Sequence, residues 1–206
     1  MNMDFITSRD ELRTHYGNVS ERAQRKELRA LDPHAKGFLK RSPFVLIGSS
    51  DRDGNADVTP KGDRPGFVAV LDDTTIAIPD RPGNNRLDTW ENVIVNPAVG
   101  LLFLIPGMDE TLRINGDARI TVDAGLRERL AAEGKLPATV MVVAIKAIYM
   151  HCAKAFMRSE LWKPGTWPDR ASLPTLGQIL KDQLALGDSA EATDRNLAES
   201  YRASMW

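Results

Sequence analysis

Residues 98–122, AVGLLFLIPGMDETLRINGDARITV, predict two β-strands joined by a turn. The first apolar run has the length of a strand and ends at Pro106 and Gly107, a pair typical of turns. In the second run the apolar side chains recur at alternate positions, the period of a strand with one buried face; they are Leu112, Ile114, Ala118 and Ile120. Gly116 falls within this run, where glycine often marks a bulge. The stretch therefore indicates a β-rich fold.

Similar strand signals lie on both sides of this stretch. Further strands are predicted at residues 44–48, 56–60, 67–71, 74–78 and 139–150. Asp53 and Gly54 predict a two-residue hairpin turn between the first two of these strands, with positive φ at both positions. Asp72 and Asp73 are expected to form the turn between the next two.

Helices are predicted before, between and after the strands. The residues suited to begin them are Ser8, Ser20, Pro33, Asn84 or Asn85, and Asp123. Serine, asparagine and aspartate oxygens accept hydrogen bonds from free amides in the first turn, and proline has no amide hydrogen to leave unpaired. Residues 172–186 and 190–204 are predicted as C-terminal helices.

Many short strands with helices inserted between them predict a mainly β fold, a β-barrel with helical additions, and not alternating βαβ units. The 206 residues suit a single domain. We expect a helical N-terminal region at about residues 1–42, a barrel core at about 43–165 and a helical C-terminal extension at about 166–206.

The composition excludes several classes of function. A net charge of -1 offers no electrostatic attraction for nucleic acid or an anionic membrane. The apolar runs are too short to span a bilayer, and the first residues, MNMDFITSRDELR, lack the apolar segment of a secretory signal. The one cysteine, Cys152, permits no intrachain disulfide, so a cytoplasmic protein is expected. The three histidines are scattered, and no metal site is predicted.

The segment at residues 78–86, IPDRPGNNR, is the strongest candidate for a ligand site. It is predicted to leave a strand, turn at Pro82 and Gly83, and enter a helix whose first amides suit a phosphate. Asparagine amides and the guanidinium groups of Arg81 and Arg86 would add donors. A capped helix with surface arginines explains the same pattern.

Two further segments are candidates. Residues 58–66, VTPKGDRPG, follow a strand, and their glycines would let a flat ligand lie against the backbone. In residues 151–162, HCAKAFMRSELW, Lys154 and Arg158 share a helical face, with Trp162 another turn along. A surface loop and an ordinary amphipathic turn are the alternatives for these two segments.

Taken in order, these motifs resemble the pyridoxamine 5'-phosphate oxidase-like proteins, which are FMN-binding split barrels. The resemblance covers about residues 20–165. It is carried by TPKGD at 59–63, IPDRPGNNR at 78–86, Asn92 with Asn96 and Pro97, LFLIPG at 102–107 and LRING at 112–116. It implies a homodimer with two FMN sites at the subunit interface.

The resemblance also implies which residues bind the cofactor. The strand around residues 59–62 would line the isoalloxazine, residues 78–86 would hold the ring edge and the phosphate, and the partner's residues 154–162 would close the site. The implied cofactor-binding residues are Thr59, Pro60, Lys61, Gly62, Ile78, Pro79, Asp80, Arg81, Gly83, Asn84, Asn85, Arg86, Lys154, Arg158 and Trp162. No catalytic acid or base is assigned.

The implied activity is that of an FMN-dependent oxidoreductase acting on a small molecule or on NAD(P)H. The vitamin B6 substrate does not carry over, because the true oxidases end in a strand with an Arg-x-His pair and this chain is predicted to end in helices. Two alternatives stay open. One is a flavin-binding carrier, sensor or stress protein without turnover, and the other is a haem-binding split barrel with His151 as the axial ligand.

Overall fold

The computed structural model describes residues 1 and 3–205. Its strands are β1 (Phe44–Ser50), β2 (Ala56–Gly62), β3 (Ala69–Asp72), β4 (Thr75–Pro79), β5 (Ala98–Leu104), β6 (Thr111–Thr121) and β7 (Val140–His151). All seven belong to one sheet in the order β2-β1-β5-β6-β7-β4-β3, and every neighbouring pair is antiparallel. The predicted fold class, a mainly β split barrel with helices at both termini, is confirmed.

Eight α-helices accompany the sheet within the described residues. They are α1 (Arg9–Thr14), α2 (Glu21–Arg25), α3 (Pro33–Leu39), α4 (Asp88–Val95), α5 (Ala124–Arg129), α6 (Lys154–Ser159), α7 (Leu176–Leu184) and α8 (Ala190–Ser204). Ser8, Ser20 and Asp123 cap their helices as predicted, each by accepting a hydrogen bond from a backbone amide. Pro33 opens α3, with Asp32 as the cap. None of the described helices is long and apolar enough to cross a membrane.

The core fills the inside of the curled sheet. Alternate residues of the strands point inward, among them Val45, Ile47, Leu101 and Phe103. Helix α3 and helix α4 cover this core with further apolar side chains. The predicted bulge at Gly116 is confirmed, since the β6–β7 register shifts between Asn115 and Gly116.

Outside the candidate ligand segments, two predictions of local structure are wrong. The β1–β2 connection is a five-residue loop, residues 51–55, and only Gly54 has positive φ. The Asp51 carboxylate organises it by accepting hydrogen bonds from the amides of Asp53 and Asn55, both at 2.9 Å. The side-chain hydrogen bond from Asn55 contributes most to lowering the pKa of Asp51.

The second error is the start of α7, which begins at Leu176 and not at residue 172. Pro174 has no amide hydrogen and disfavours helical geometry in the residue before it, so the helix starts beyond it, with Thr175 as the cap. The last residue of the predicted C-terminal extension, Trp206, lies outside the described residues.

The end of β2 is joined to the segment after β4 by two ion pairs, although these two strands are not neighbours in the sheet. Lys61 Nζ lies 3.0 Å from Asp80 Oδ1, and Arg81 Nε lies 2.6 Å from Asp63 Oδ2. The Asp63 side chain is only 3% exposed and the Arg81 side chain 15%. These two ion pairs therefore connect parts of the split sheet that no backbone hydrogen bonds between strands connect.

Helix α4 is held against the same end of the sheet by polar side chains. Thr89 Oγ1 donates to Asp57 Oδ2 at 3.0 Å, and Asn92 Nδ2 donates to Ser49 Oγ at 3.0 Å. The indole of Trp90 donates to Thr139 Oγ1 at 2.7 Å on the other side. These bonds fix the first turn of α4 beside β2.

We expect Asp63→Asn to destabilise the protein, because it leaves the half-buried guanidinium of Arg81 without its counter-charge. Removing one partner of a buried pair costs about 3–5 kcal/mol, and the remaining bond of Arg81 to the Leu130 carbonyl lowers our expectation to about 2–3 kcal/mol. Urea unfolding at a fixed protein concentration measures the change. The control is Glu133→Gln, at the exposed pair with Arg64, which should cost less than about 1 kcal/mol. Equal losses in the two variants would contradict this role.

Candidate functional site

A cavity of about 620 Å³ lies beside the inward-facing residues of β2. Its walls come from β2, the segment after β4, the first turn of α4, and residues 136 and 138. Eight of the predicted cofactor residues line it, which are Thr59, Lys61, Asp80, Arg81, Gly83, Asn84, Asn85 and Arg86. The structure thus brings two of the three predicted segments into one cavity of the size that small-molecule and cofactor sites have.

The other predicted residues lie elsewhere. Pro60 and Gly62 are exposed on the opposite face of β2, and the side chains of Ile78 and Pro79 are buried. Lys154 and Arg158 belong to α6, beyond the end of β7. None of these residues lines the cavity of its own chain.

Trp162 does not share a helical face with Lys154 and Arg158, because α6 ends at Ser159 and Glu160 adopts left-handed backbone geometry. Its indole donates to the Met108 carbonyl at 2.9 Å and stacks on Phe156 with the ring centroids 5.8 Å apart. Trp162 is therefore half-buried against its own chain.

The predicted helix start at Asn84 or Asn85 is wrong. Helix α4 begins at Asp88, after Leu87 in left-handed geometry, and no side chain caps it. Asn85 is also left-handed, and the Asn84 side-chain oxygen accepts from the Arg86 amide at 3.1 Å. Asparagine readily forms such local turns, which compete with helix capping. Residues 82–87 are consequently a loop at the cavity wall, and a left-handed leucine in it is an uncommon, strained feature.

Lys61 has a fixed position at the back of the cavity. Besides its ion pair with Asp80, its ammonium group lies 4.2 Å from the centre of the Trp90 ring. This cation–π contact and the hydrogen bond from Trp90 to Thr139 hold the lysine in one orientation. The Lys61 ammonium group is therefore presented to one defined part of the cavity.

Arg81 and Arg86 differ in availability. Arg81 is enclosed by Asp63 and the Leu130 carbonyl, whereas the side chain of Arg86 is 74% exposed and, among the described residues, forms an ion pair with the neighbouring Asp88 alone. The hydrogen bond with Asp88, and then its charge, raise the pKa of Arg86. The Arg86 guanidinium is therefore the cavity cation that can turn most easily toward a ligand.

The charges in the cavity wall balance. Its cations are Lys61, Arg81 and Arg86, and its carboxylates are Asp57, Asp80 and Asp88. Each carboxylate accepts a hydrogen bond from a neighbouring side chain. The wall of one chain therefore brings no net positive charge to an anionic ligand.

Sequence reasoning missed several wall residues. Asp57, Thr89 and Trp90 were assigned only to a strand or a helix, yet all three line the cavity. The alternation of side chains along β2 could have indicated Asp57, because it lies on the same face of the strand as Thr59 and Lys61. Nothing in the sequence indicated that α4 would pack beside β2. Among the described residues, no group of three His, Cys, Asp or Glu side chains could hold a metal ion.

Comparison with known proteins finds several similar solved structures and one family model. Solved structures similar to the chain include HupZ from Group A Streptococcus, which is 15% identical with a TM-score of 0.48, over 58% of this chain and 93% of that one. A protein from Lactobacillus delbrueckii, named as a candidate pyridoxamine 5'-phosphate oxidase, is 22% identical with a TM-score of 0.47, over 60% and 98%. An FMN-binding protein from Syntrophomonas wolfei is 14% identical with a TM-score of 0.44, over 57% and 88%.

None of the curated proteins matches the chain. The family model described as pyridoxamine 5'-phosphate oxidase, in contrast, matches residues 31–152, more than half of the sequence. The match begins just before α3, includes all seven strands and ends just after β7. The chain belongs to the pyridoxamine 5'-phosphate oxidase family.

Proposed function

We propose that the protein is an FMN-dependent oxidoreductase that binds FMN in the cavity beside β2. The observation that carries the proposal is the convergence of two ligand-type segments, residues 57–61 and 80–88, on one cavity of about 620 Å³. We further propose that it acts in the cytoplasm as a homodimer, on a small molecule or on NAD(P)H.

The backbone of β2 supports the binding of a flat heterocycle. Among the described strands β2 pairs only with β1, so alternate residues direct their carbonyl groups, and except at Pro60 their amides, away from the ladder. An isoalloxazine ring carries hydrogen-bond donors and acceptors along one edge, and the free backbone groups of an edge strand can pair with them. The half-buried hydroxyl of Thr59 and the fixed ammonium group of Lys61 stand on the same face.

The loop at residues 82–87 supports the binding of the phosphate. The amides of Asn84 and Asn85 and the exposed guanidinium of Arg86 line the cavity there. The first amides of α4 follow directly and have no side-chain cap, so a phosphate could accept from them. Because the cavity wall is neutral, a phosphate dianion requires further cations.

The second subunit would supply these cations. Lys154 and Arg158 are exposed, and neither belongs to an ion pair among the described residues. Large apolar side chains are exposed near both chain ends, including Phe5 and Tyr16 before the sheet and Leu176 and Tyr201 after it. Apolar surface of this kind favours association with a partner.

Bound FMN would supply the redox chemistry, accepting a hydride from the donor and passing electrons on. The residues of this chain would bind the ring, orient it and exclude water. All three carboxylates of the cavity wall are engaged as hydrogen-bond acceptors. We therefore assign no catalytic acid or base.

We expect the purified protein to be yellow and to contain FMN, and the flavin to bleach under anaerobic conditions with one of NADH, NADPH or a small amine donor. Absorption spectroscopy measures both properties. A flavin that no donor reduces would favour the carrier, sensor or stress protein. A Soret band without flavin absorption would instead support the haem alternative.

Arg86→Ala should weaken FMN binding about tenfold or more, since a charge-assisted hydrogen bond to an anion contributes about 1.5–3 kcal/mol. Fluorescence titration of the flavin-free protein with FMN measures the affinity. Arg52→Ala is the matched control, because Arg52 is an exposed arginine in the loop between β1 and β2. Unchanged affinity in Arg86→Ala would mean that the phosphate binds elsewhere.

A mixed dimer should reveal that each site is shared. One chain carries Arg86→Ala, and the other carries Lys154→Ala with Arg158→Ala. If each site takes residues 80–88 from one chain and α6 from the other, one site collects every defect and the second is intact. About one FMN per mixed dimer should then bind with normal affinity.

The control is the pair of homodimers, one for each chain, in which both sites are damaged. Differently tagged chains allow the mixed species to be purified before titration. Loss of normal binding in the mixed dimer would reject the shared site, while a monomer in light scattering would reject the dimer itself.

A further inference from the structure

A second cavity, of about 400 Å³, lies between the end of helix α3, the edge strand β3 and the end of helix α5. Its charged wall residues are Lys36, Lys40 and Arg129, and the rest of the wall is mostly apolar. None of its wall residues lines the cavity beside β2, and none is one of the implied cofactor residues. It is therefore a separate site.

A close approach of two backbone segments shapes this cavity. Gly66 lies in the loop before β3, and its φ of +84° is left-handed geometry that favours glycine. A Cβ atom at Gly66 would meet the Lys40 carbonyl oxygen at 3.0 Å, and the Gly66 amide donates to the Ser42 carbonyl at 3.3 Å. The loop before β3 and the end of α3 therefore keep a fixed relative position at the cavity.

Positive charge is in excess at this cavity, because among the described residues no carboxylate lines it. Lys36 and Lys40 are one helical turn apart, a spacing at which like charges repel each other and destabilise the helix. Lys36 Nζ lies 2.5 Å from Asp73 Oδ1, whereas Lys40 and Arg129 take part in no ion pair within the described part of the chain. Two positive charges are thus left without a counter-charge, and a bound dianion relieves their repulsion.

Arg129 is held at the cavity by the free edge of β3. Among the described strands β3 pairs only with β4, so some of its backbone groups lie outside the ladder. Arg129 Nη2 donates to one of them, the Val70 carbonyl, at 3.1 Å. A guanidinium group has five N–H donors, so this single bond leaves others for an anion. Arg129 is therefore both anchored and able to bind.

The apolar part of the wall indicates that the anion carries an organic group. Val68 and Leu130 are buried beside the cavity, 5% and 7% exposed, and Val70 lies between them and the cations. A cavity of about 400 Å³ is far larger than a phosphate ion and falls within the size range of small-molecule sites. The space that an anionic group leaves is thus bordered by apolar side chains.

We propose that this cavity binds a small phosphate monoester. Lys40 and Arg129, with Lys36 beside them, hold the phosphate, and the organic group contacts Val68 and Leu130. Two unbalanced positive charges match the dianion of a monoester better than the single charge of a carboxylate. Lysine and arginine are also the usual phosphate ligands of proteins. The site is independent of the flavin, so the proposal holds whether or not the protein is an oxidoreductase.

Calorimetric titration of the purified protein at pH 8 with phenyl phosphate, inorganic phosphate and benzoate tests the ligand class. Phenyl phosphate should bind about tenfold more tightly than inorganic phosphate, which lacks the organic group, and than benzoate, which has a single charge. Inorganic phosphate binding as tightly as phenyl phosphate would overturn the role of the apolar wall. Benzoate binding as tightly as phenyl phosphate would overturn the preference for a dianion.

Substitutions locate the site. Lys40→Gln and Arg129→Gln should each weaken the binding of phenyl phosphate about tenfold, since each removes a charge-assisted bond. Arg41→Gln and Arg127→Gln are the matched controls, because both arginines are close in sequence to the replaced residues, bond to backbone carbonyls and lie outside the cavity wall. The controls should keep the wild-type affinity. A loss of affinity in the controls as large as in Lys40→Gln would overturn the proposal.

The variant Arg86→Ala separates this cavity from the cavity beside β2. It should bind phenyl phosphate with wild-type affinity, while Lys40→Gln should bind FMN with wild-type affinity. Loss of phenyl phosphate binding in Arg86→Ala, with binding kept in Lys40→Gln, would place the phosphate in the cavity beside β2 and overturn the proposal.

Thermal unfolding provides a second measurement that also reports on folding. Arg129→Gln loses the bond to Val70 as well as a charge, whereas Lys40 is exposed, so Lys40→Gln tests the charge by itself. Without ligand, Lys40→Gln should unfold at the Tm of the wild type. Phenyl phosphate should raise the Tm of the wild type and of Arg41→Gln, because it binds the folded state, and should raise that of Lys40→Gln much less. An equal rise in all three proteins would overturn the proposal.

Discussion

The site depends on two ion pairs that join the end of β2 to the segment after β4. β2 is an edge strand and β4 lies at the other side of the sheet order, so no ladder hydrogen bonds connect them. Lys61 with Asp80 and Arg81 with Asp63 make the connection instead. Separating the two segments would leave half-buried charges without partners, which costs free energy. The ion pairs therefore keep the segments together even though they add little to the net stability of the fold.

This closure also determines the electrostatics of the cavity. Asp80 and Asp63 engage the two best-buried cations, which leaves Arg86 as the cavity cation that is most exposed. The resemblance assigned Lys61, Arg81 and Arg86 alike to the cofactor. Their partners give the three residues different roles. Arg81 joins two segments of the fold, and Lys61 is held in place over the Trp90 ring. Arg86, in the loop before α4, is exposed and pairs with Asp88. A neutral wall of this kind supports the proposal that a second subunit supplies charge for an anionic cofactor.

The sequence predicted the strands well because alternation, turn residues and caps are local properties. In β6, Leu112 and Ile114 are both buried on one face, as their alternate positions predicted, and the register shifts at the predicted bulge, Gly116. The start of α4 was not predictable, because Asn84 can either cap a helix or form a turn, and the left-handed geometry of Leu87 depends on the surrounding structure. The cavity walls were predicted only in part, since the contacts of Thr89 with Asp57 and of Trp90 with Lys61 are tertiary properties.

The period of a strand explains how the two faces of one short element can differ in character. Along β2 the side chains of Asp57, Thr59 and Lys61 are half-buried toward the inner cavity, while Val58 and Pro60 point outward. A slip of one residue in the β1–β2 register would exchange these sets and place apolar side chains where the cofactor is proposed to bind. The hydrogen-bonded loop at Asp51 fixes the register at one end of the hairpin, and the Lys61–Asp80 pair fixes it at the other. An edge strand anchored at both ends can therefore expose free backbone groups to a ligand without losing its register.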